Sequence, residues 1–232
     1  MIKKKILLTG ASRGIGFHIA LNLASLGHSV VCVARSSDKL HDLSQKYPGQ
    51  LIPYPADISI TENITRLIED LDRRFGNIDL IIHNAGGITV KPFDKLSDED
   101  WQYQLDVNLL SAVKLFRGTL PLLNAGAHIL TISSMGGFQG SAKFSGLTAY
   151  SVSKGALTIL SECLAAELSN QKISVNCLCL GAVQTEMLTK AFPGFQAPVT
   201  AKEMADYISD FGLTGHRFYN GKILPVALSD PG

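Results

Sequence analysis

Short apolar runs alternate with segments of helical spacing along the chain, and this alternation restricts the fold more than any other feature of the sequence. Apolar residues recur at helical spacing over 15–26, 62–75, 101–115, 148–168 and 202–211. Strands joined through helices form right-handed crossovers, so this order predicts a doubly wound α/β fold with a parallel sheet of about seven strands and helices on both faces. Ligands would bind at the carboxyl ends of the strands. The length suits a single domain over residues 1–232. The apolar runs are ILLT from Ile6, SVVCVA from Ser29, IDLIIH from Ile78, HILTIS from His128, ISVNCLCL from Ile173 and KILPV from Lys222.

Charge and cysteine content exclude several classes of partner. Lys plus Arg number 21 and Asp plus Glu 20, so the chain has no field to attract nucleic acid or an anionic membrane. The sequence has no apolar run near the ~20 residues of a membrane span. Cys32, Cys163, Cys177 and Cys179 lack metal-ligand spacing, which indicates buried thiols in a reducing compartment and no metal site. We expect a cytoplasmic protein.

A glycine-rich turn, TGASRGIG, follows the first apolar run and precedes a helix. Gly10, Gly14 and Gly16 would let backbone amides approach a diphosphate at the helix N-terminus. The spacing is GxxxGxG, whereas the common dinucleotide fingerprint is GxGxxG, so a nucleotide-binding turn and an ordinary glycine-rich loop both remain open from spacing alone. The absence of GK[ST] argues against a P-loop.

Two arginines bear on the choice of nucleotide. NAD-binding folds commonly place an acidic residue after the second strand, where it binds the ribose 2′-hydroxyl. Here Arg35 follows Ala34, and Arg13 lies in the glycine turn. Two guanidiniums could bind a 2′-phosphate, which favours NADP over NAD. The alternative is that both arginines are solvated loop residues.

The stretch AYSVSK places Tyr150 and Lys154 four residues apart. On a helix their Cβ atoms would lie ~5–6 Å apart on one face. Taken alone, such a pair is most often an amphipathic rim and does not establish proton chemistry.

Seven motifs occur in an order that resembles the short-chain dehydrogenase/reductases over nearly the whole chain. They are TGASRGIG, Asp57 in ADIS, HNAG at 83–86, Asn108 in DVNLL, ISS ending at Ser134, YSVSK, and GAVQTEM from Gly181. The resemblance implies a Rossmann-type domain that transfers hydride between NADP(H) and a carbonyl or secondary alcohol, similar to the β-ketoacyl carrier-protein reductases.

The resemblance also implies the site residues. The catalytic tetrad would be Asn108, Ser134, Tyr150 and Lys154, with Asp57 on the adenine and Thr185 on the nicotinamide carboxamide. The cofactor-binding residues would be Gly10, Ser12, Arg13, Gly14, Ile15, Gly16, Arg35, Ser36, Asp57, Asn84, Ala85, Gly86, Asn108, Tyr150, Lys154, Gly181, Val183 and Thr185.

Three departures from the family pattern concern the geometry of this site. His83 and Leu180 stand where the family usually has asparagine and proline, and Ser134 and Tyr150 are a few residues further apart, with SAKFSG as the extra loop. Ser133 competes for the serine role, although strand alternation puts neighbours on opposite faces.

The tetrad suggests a proton donor for a carbonyl oxygen. A free phenol has a pKa near ~10, and we expect the Lys154 ammonium to lower the pKa of Tyr150 toward neutrality. Ser134 would bond the substrate oxygen, and Asn108 would anchor a water relay behind the lysine.

The substrate loop is predicted at about 186–200 and is short for this family. Its apolar residues and those before Tyr150 could line a pocket or simply pack the loop onto the body. They are Met187, Leu188, Phe192, Phe195, Phe138 and Phe144.

The segment 148–168 has two apolar stripes, which predicts a homodimer or homotetramer. Val152, Ala156, Ile159 and Cys163 are assigned to the sheet, and Leu157, Leu160, Leu164 and Leu168 to a partner subunit; burial of both stripes within one subunit is the alternative. An NADP(H)-dependent oxidoreductase is the leading function. A catalytically silent regulatory or scaffold protein and a methyltransferase are the alternatives.

Overall fold

The computed structural model describes residues 2–228 and contains a seven-stranded, all-parallel sheet. Its spatial order is β3-β2-β1-β4-β5-β6-β9, which confirms the predicted doubly wound sheet. Its strands are β1 (Lys5–Thr9), β2 (Ser29–Ala34), β3 (Leu51–Pro55), β4 (Ile78–His83), β5 (Leu123–Ser134), β6 (Ser174–Leu180) and β9 (Ile223–Val226). The short strands β7 (Val183–Gln184) and β8 (Val199–Thr200) pair separately.

Helices cover both faces of this sheet, because its strands are continuous apolar runs that must be buried on both sides. Helices α1, α2 and α8 contribute to the core on one face, and α3, α5 and α6 to the core on the other. The helices are α1 (Gly14–Ser25), α2 (Ser37–Ser44), α3 (Thr61–Phe75), α4 (Asp98–Leu105), α5 (Ser111–Thr119), α6 (Thr148–Glu167), α7 (Glu186–Ala191) and α8 (Ala201–Thr214).

The strand order reverses between β1 and β4. From β1 the chain first winds toward β3, and from β4 it winds toward β9. A crevice opens at the carboxyl ends of strands at such a switch point, where α/β proteins bind their ligands. The glycine turn after β1 and residues 84–86 after β4 therefore lie side by side.

The sequence patterns missed β3 and α2. Pro53 and Pro55 lack backbone donors and are tolerated because β3 is an edge strand of the sheet. Helix α2 is short and polar, with Leu40 and Leu43 buried. The single helix predicted over 101–115 is two helices joined by a π-helical turn, Asp106–Leu110.

The assignment of stripes on α6 was wrong. Leu157 is fully buried and Leu168 is 3% exposed, so the leucine stripe packs on the sheet. Val152 and Ile159 are 49% and 58% exposed, so the other stripe faces outward. The buried polar side chains of α6, including Lys154, lie on the leucine side of the helix and fix its rotation.

Cys163 lies on this outer stripe and is exposed, contrary to the expectation that all four cysteines are buried. Cys32, Cys177 and Cys179 are buried free thiols in β2 and β6. Over residues 2–228, no helix is both long and apolar enough to cross a membrane.

Candidate active site

A cavity of about 810 Å³ runs along the carboxyl ends of the strands and brings the predicted site residues together. Its volume lies within the ~300–1,000 Å³ that is usual for sites of small molecules and cofactors. Of the predicted residues, only Gly16 and Asn108 are not part of the cavity wall within the described chain. The predicted residues that line it are Gly10, Ser12, Arg13, Gly14, Ile15, Arg35, Ser36, Asp57, Asn84, Ala85, Gly86, Ser134, Tyr150, Lys154, Gly181, Val183 and Thr185.

The glycine turn packs so tightly that a side chain cannot be added at Gly10 or Gly16. A Cβ at Gly16 would lie 2.2 Å from the Gly10 carbonyl oxygen, and one at Gly10 would lie 2.9 Å from Ala85 Cα. Gly10 and Gly14 have φ of +72° and +55°, which glycine adopts without strain. Asn84 Nδ2 donates to the carbonyl oxygens of Thr9 and Gly10, each at 3.2 Å. The turn is thus a rigid cradle that leaves the N-terminus of α1 facing the cavity, which fits a diphosphate.

His83 supports the glycine turn through a buried contact with Thr9. The buried Thr9 hydroxyl accepts a bond from Ala85 N at 3.1 Å and lies 3.2 Å from His83 Nδ1. Burial lowers the pKa of His83 to about 3, so the imidazole is neutral and can accept the Thr9 proton. The His83 ring also makes an edge contact with Phe116. The departure from asparagine is therefore accommodated within the core.

Charged and polar groups cluster at the end of the cavity next to β2. Arg13, Arg35 and Ser36 line it there, together with Lys39 at the start of α2, which the sequence analysis missed. Asp57 Oδ1 accepts bonds from Ser59 N at 3.0 Å and Ser59 Oγ at 2.7 Å, which fixes the carboxylate in place. The cations Arg13, Arg35 and Lys39 outnumber the carboxylates Asp57 and Glu186 here, which fits the phosphorylated ribose of a nucleotide.

The two serines at the end of β5 have different hydrogen-bond partners, which favours Ser134 over Ser133 for the predicted role. Ser133 Oγ donates to the Lys154 carbonyl oxygen at 2.9 Å and is buried between β5 and α6. Both serines line the cavity, and the Ser134 oxygen accepts a bond from Gly136 N at 3.1 Å. The Ser134 hydroxyl proton remains available to a ligand.

Helix α6 is held closely against the turn that follows β5. A Cβ at Gly137 would lie 2.5 Å from the Lys154 carbonyl carbon and 2.6 Å from Gly155 N. The close approach at Gly137 and the Ser133 bond set the register of α6 on β5. Tyr150 and Ser134 consequently meet at the cavity despite the longer chain between them.

Lys154 lies at the floor of the cavity and is 5% exposed. Its Nζ donates to the Ile132 carbonyl oxygen at 2.9 Å. Burial lowers the pKa of the ammonium to about 8, and the thiols of Cys177 and Cys179 partly oppose this lowering. Lys154 is therefore mainly protonated at neutral pH, with N–H donors left for a ligand.

The pKa of Tyr150 does not follow the expectation from the sequence. Burial raises the pKa of the phenol, and the Ser134 hydroxyl lowers it only in part. The Lys154 ammonium is instead directed at Ile132. Tyr150 is thus protonated at neutral pH in this structure, and its raised pKa makes it a weaker proton donor than the sequence analysis expected.

Asn108 is fully buried in the π-helical turn behind the lysine. It exchanges two bonds of 2.9 Å with the backbone of Gly87, and its Nδ2 also donates to Ser153 Oγ at 3.0 Å. A Cβ at Gly86 would lie 2.9 Å from Asn108 Oδ1 and 3.2 Å from Lys154 Nζ. Asn108 therefore fixes the loop after β4 against α6, next to the ammonium.

Strand β6 leads into the opposite wall of the cavity. Gly181 N donates to the Val226 carbonyl oxygen at 2.9 Å, so β9 guides the chain after Leu180. Thr185 is the N-cap of α7, and its Oγ1 accepts a bond from Leu188 N at 3.2 Å. Because a hydroxyl has one donor and two acceptor positions, Thr185 can still donate to an amide oxygen.

Most of the predicted apolar residues line the middle of the cavity. Met187, Leu188, Phe192, Phe195 and Phe144 do so, whereas Phe138 packs against Met135 and the buried cysteines of β6. The extra loop is held by Lys143, whose Nζ donates to the Phe138 carbonyl oxygen at 2.6 Å. Further apolar and aromatic lining residues, which the sequence analysis missed, are Ile88, Tyr103, Val107, Leu147, Pro198 and Met204.

Comparison with known proteins identifies the family. The family model for short chain dehydrogenases matches residues 4–194. An uncharacterized oxidoreductase of Staphylococcus epidermidis is 28% identical over 210 residues, which is 89% of this chain and 90% of that protein. A fatty acyl-CoA reductase of Mycobacterium tuberculosis is 34% identical over 215 residues, or 88% and 72% of the two chains.

A solved structure has a closely similar fold. The L-sorbose reductase of Gluconobacter frateurii, complexed with NADPH and L-sorbose, superposes with a TM-score of 0.88 at 26% identity. The match covers 99% of this chain and 97% of that one.

Proposed function

The chain belongs to the short-chain dehydrogenase/reductase family of oxidoreductases, and on that basis we propose that it is an NADP(H)-dependent carbonyl reductase or alcohol dehydrogenase. One observation carries this proposal. Ser134, Tyr150 and Lys154 line the cavity that also contains the glycine turn, and Asn108 supports them from behind. A catalytically silent nucleotide-binding protein would have no need of this combination.

Different residues of the cavity would bind different parts of the cofactor. The amides at the start of α1 would bind the diphosphate, Asp57 the adenine, and Arg13 and Arg35 a 2′-phosphate. Lys154 would hold the nicotinamide ribose through the N–H groups not used by Ile132, and Thr185 would donate to the carboxamide. A bound nicotinamide supplies or accepts the hydride.

Proton transfer falls to Tyr150. Ser134 would donate a hydrogen bond to the carbonyl oxygen, and the phenol, kept protonated by burial, would give its proton to the same atom. In the direction of oxidation the ammonium of Lys154 would stabilise the phenolate. Asn108 would keep Lys154 beside Gly86 and anchor a water relay behind it.

The lining of the cavity favours an apolar carbonyl substrate. Phe144, Leu147, Leu188 and Phe192 line the same cavity as Ser134 and Tyr150. A β-ketoacyl thioester or another carbonyl with an apolar chain fits this lining better than a sugar does.

The experiment is NADPH oxidation by the parent with acetoacetyl thioesters, diketones, quinones, steroids and a ketose, followed by two variants. Tyr150→Phe keeps the ring, so it should bind NADPH normally and lose about 10²–10⁴ in turnover. Lys154→Ala should lose turnover and also bind NADPH more weakly, because it removes the contact with the ribose.

Two results would count against the proposal. Turnover in Tyr150→Phe within a few-fold of the parent would remove the tyrosine from the chemistry. A parent that binds NADPH tightly and reduces no carbonyl of the panel would favour the silent regulatory or scaffold protein.

A further inference from the structure

Three charged side chains meet where α7 approaches the glycine turn. Glu186, the first residue of α7, places Oε2 3.2 Å from Arg13 Nη1 and Oε1 3.9 Å from Lys39 Nζ. Each carboxylate oxygen thus faces a cation from a different element, the turn before α1 and the start of α2. The side chains of Arg13, Lys39 and Glu186 are 43%, 51% and 52% exposed.

These ion pairs occupy Arg13 and Lys39, two cations that a 2′-phosphate could bind. Arg13 and Lys39 line the same end of the cavity as Arg35 and Ser36. A phosphate monoester carries up to two negative charges and three acceptor oxygens, whereas the carboxylate carries one charge and two oxygens. A phosphate arriving at this end would therefore compete favourably with Glu186 for both cations.

The strength of the pairs suits an exchange of this kind. Exposed ion pairs typically change an equilibrium constant by a factor of only about 1.5 to 5. Breaking the ion pairs of Glu186 with Arg13 and Lys39 therefore costs little free energy. Their effect on a dissociation constant is still large enough to measure.

We propose that Glu186 is a displaceable counter-ion that competes with the 2′-phosphate of NADP(H), and that Lys39 is a further specificity residue for that phosphate. The proposal rests on the proposed NADP(H) binding. It has a consequence for the substrate loop, because Glu186 begins α7. Binding of a 2′-phosphate frees the start of α7 from the glycine turn, whereas NADH leaves the ion pairs in place.

Binding measurements test the competition. Dissociation constants of NADPH, NADH, adenosine 2′,5′-bisphosphate and adenosine 5′-monophosphate would be determined by calorimetry for the parent, Glu186→Gln and Lys39→Gln. Glu186→Gln should tighten the two ligands with a 2′-phosphate by about 1.5- to 5-fold more than the two ligands without one. Lys39→Gln should weaken the same two ligands by a similar factor.

Glu69→Gln is the matched control, because Glu69 is exposed on α3 outside the cavity and the variant has the same change in net charge. If the ratio of NADH to NADPH dissociation constants is equal in the parent, Glu69→Gln and Glu186→Gln, Glu186 does not compete. If the parent does not bind NADPH, the proposed function and this inference both fail; if it binds NADPH with an unchanged ratio in Glu186→Gln, only the inference fails.

Tryptic cleavage after Lys190, an exposed residue of α7, tests the consequence for the loop. Adenosine 2′,5′-bisphosphate should accelerate this cleavage in the parent, because it displaces Glu186 and lacks the nicotinamide that would contact Thr185. Glu186→Gln should be cleaved at the faster rate before ligand is added. Equal rates in all of these samples would refute the release of α7.

Discussion

Replacing Lys154 with methionine should make the protein more stable at neutral pH while removing a group that the proposed chemistry needs. The ammonium is 5% exposed, and Ile132 supplies a carbonyl at 2.9 Å. Burial lowers its pKa from 10.5 to about 8. Methionine has a similar length and no charge, so Lys154→Met removes the ionisable group and retains most of the packing.

The size of the effect follows from proton linkage. Between about pH 8 and pH 10.5 the unfolded chain holds the Lys154 proton and the folded chain releases it, so parent stability rises with pH across this window. Below pH 8 both states are protonated and the full penalty applies. At about 1.4 kcal/mol per pH unit, the lowering of the pKa corresponds to about 3 kcal/mol.

Urea unfolding of the parent and Lys154→Met at matched protein concentration, from pH 7 to pH 10, measures this penalty. At pH 7 the variant should have the higher free energy of unfolding, by the removed penalty of about 3 kcal/mol less about 1 kcal/mol for the lost hydrogen bond. This difference should fall by about 2–3 kcal/mol between pH 7 and pH 10. Lys46→Met, at an exposed position after α2, is the control for the same change of side chain outside the core. A flat difference for Lys154→Met would refute the claim that the ammonium is desolvated.

Two further predictions concern cofactor choice and assembly. Arg35→Asp should narrow the preference for NADPH over NADH, because it removes a cation from the end of the cavity next to β2 and introduces an acid that can bind a ribose hydroxyl. An unchanged ratio of the NADH and NADPH dissociation constants would show that Arg35 is not a specificity residue. The parent should sediment as a dimer or tetramer at micromolar concentration because Val152 and Ile159 form an exposed apolar stripe on α6, and Ile159→Lys should shift it toward the monomer; a monomeric mass for the parent would contradict this.

The central strands were predictable because strands buried on both faces are continuous apolar runs. Edge strand β3 was not, since Pro53 and Pro55 interrupt the pattern and are tolerated only by its position in the sheet. The π-helical turn around Asn108 also escaped prediction, because the apolar spacing over 101–115 fits one continuous helix equally well.

The rotation of α6 shows where pattern alone is insufficient. Both stripes are apolar, so hydrophobicity does not decide which one meets the sheet. Lys154 decides it, because its ammonium must reach the cavity floor, and Leu157 and Ser161 share its buried face. The requirement that Lys154 face the cofactor would have given the correct rotation from the sequence.

The predicted site residues came together because their motifs sit at the ends of neighbouring strands. Contacts between distant segments were not predictable in this way. The ion pair of Arg13 with Glu186 joins positions 173 residues apart, and Lys39 enters the cavity only because α2 begins there. Neither motif spacing nor periodicity contains such information.

The close packing of α6 on Gly137 makes the positions of Ser134, Tyr150 and Lys154 independent of the length of the neighbouring loop. Ser133 and Gly137 fix the helix at Lys154, so the chain between Gly137 and Leu147 closes outside that contact. This loop carries Phe144 on the cavity wall. Insertions, deletions and grafted segments there can change which substrates fit while Tyr150 and Ser134 stay in place. The loop between Gly137 and Leu147 can therefore be altered while the contact of α6 with Gly137 is kept, and this loop is the place at which the substrate range can be redesigned.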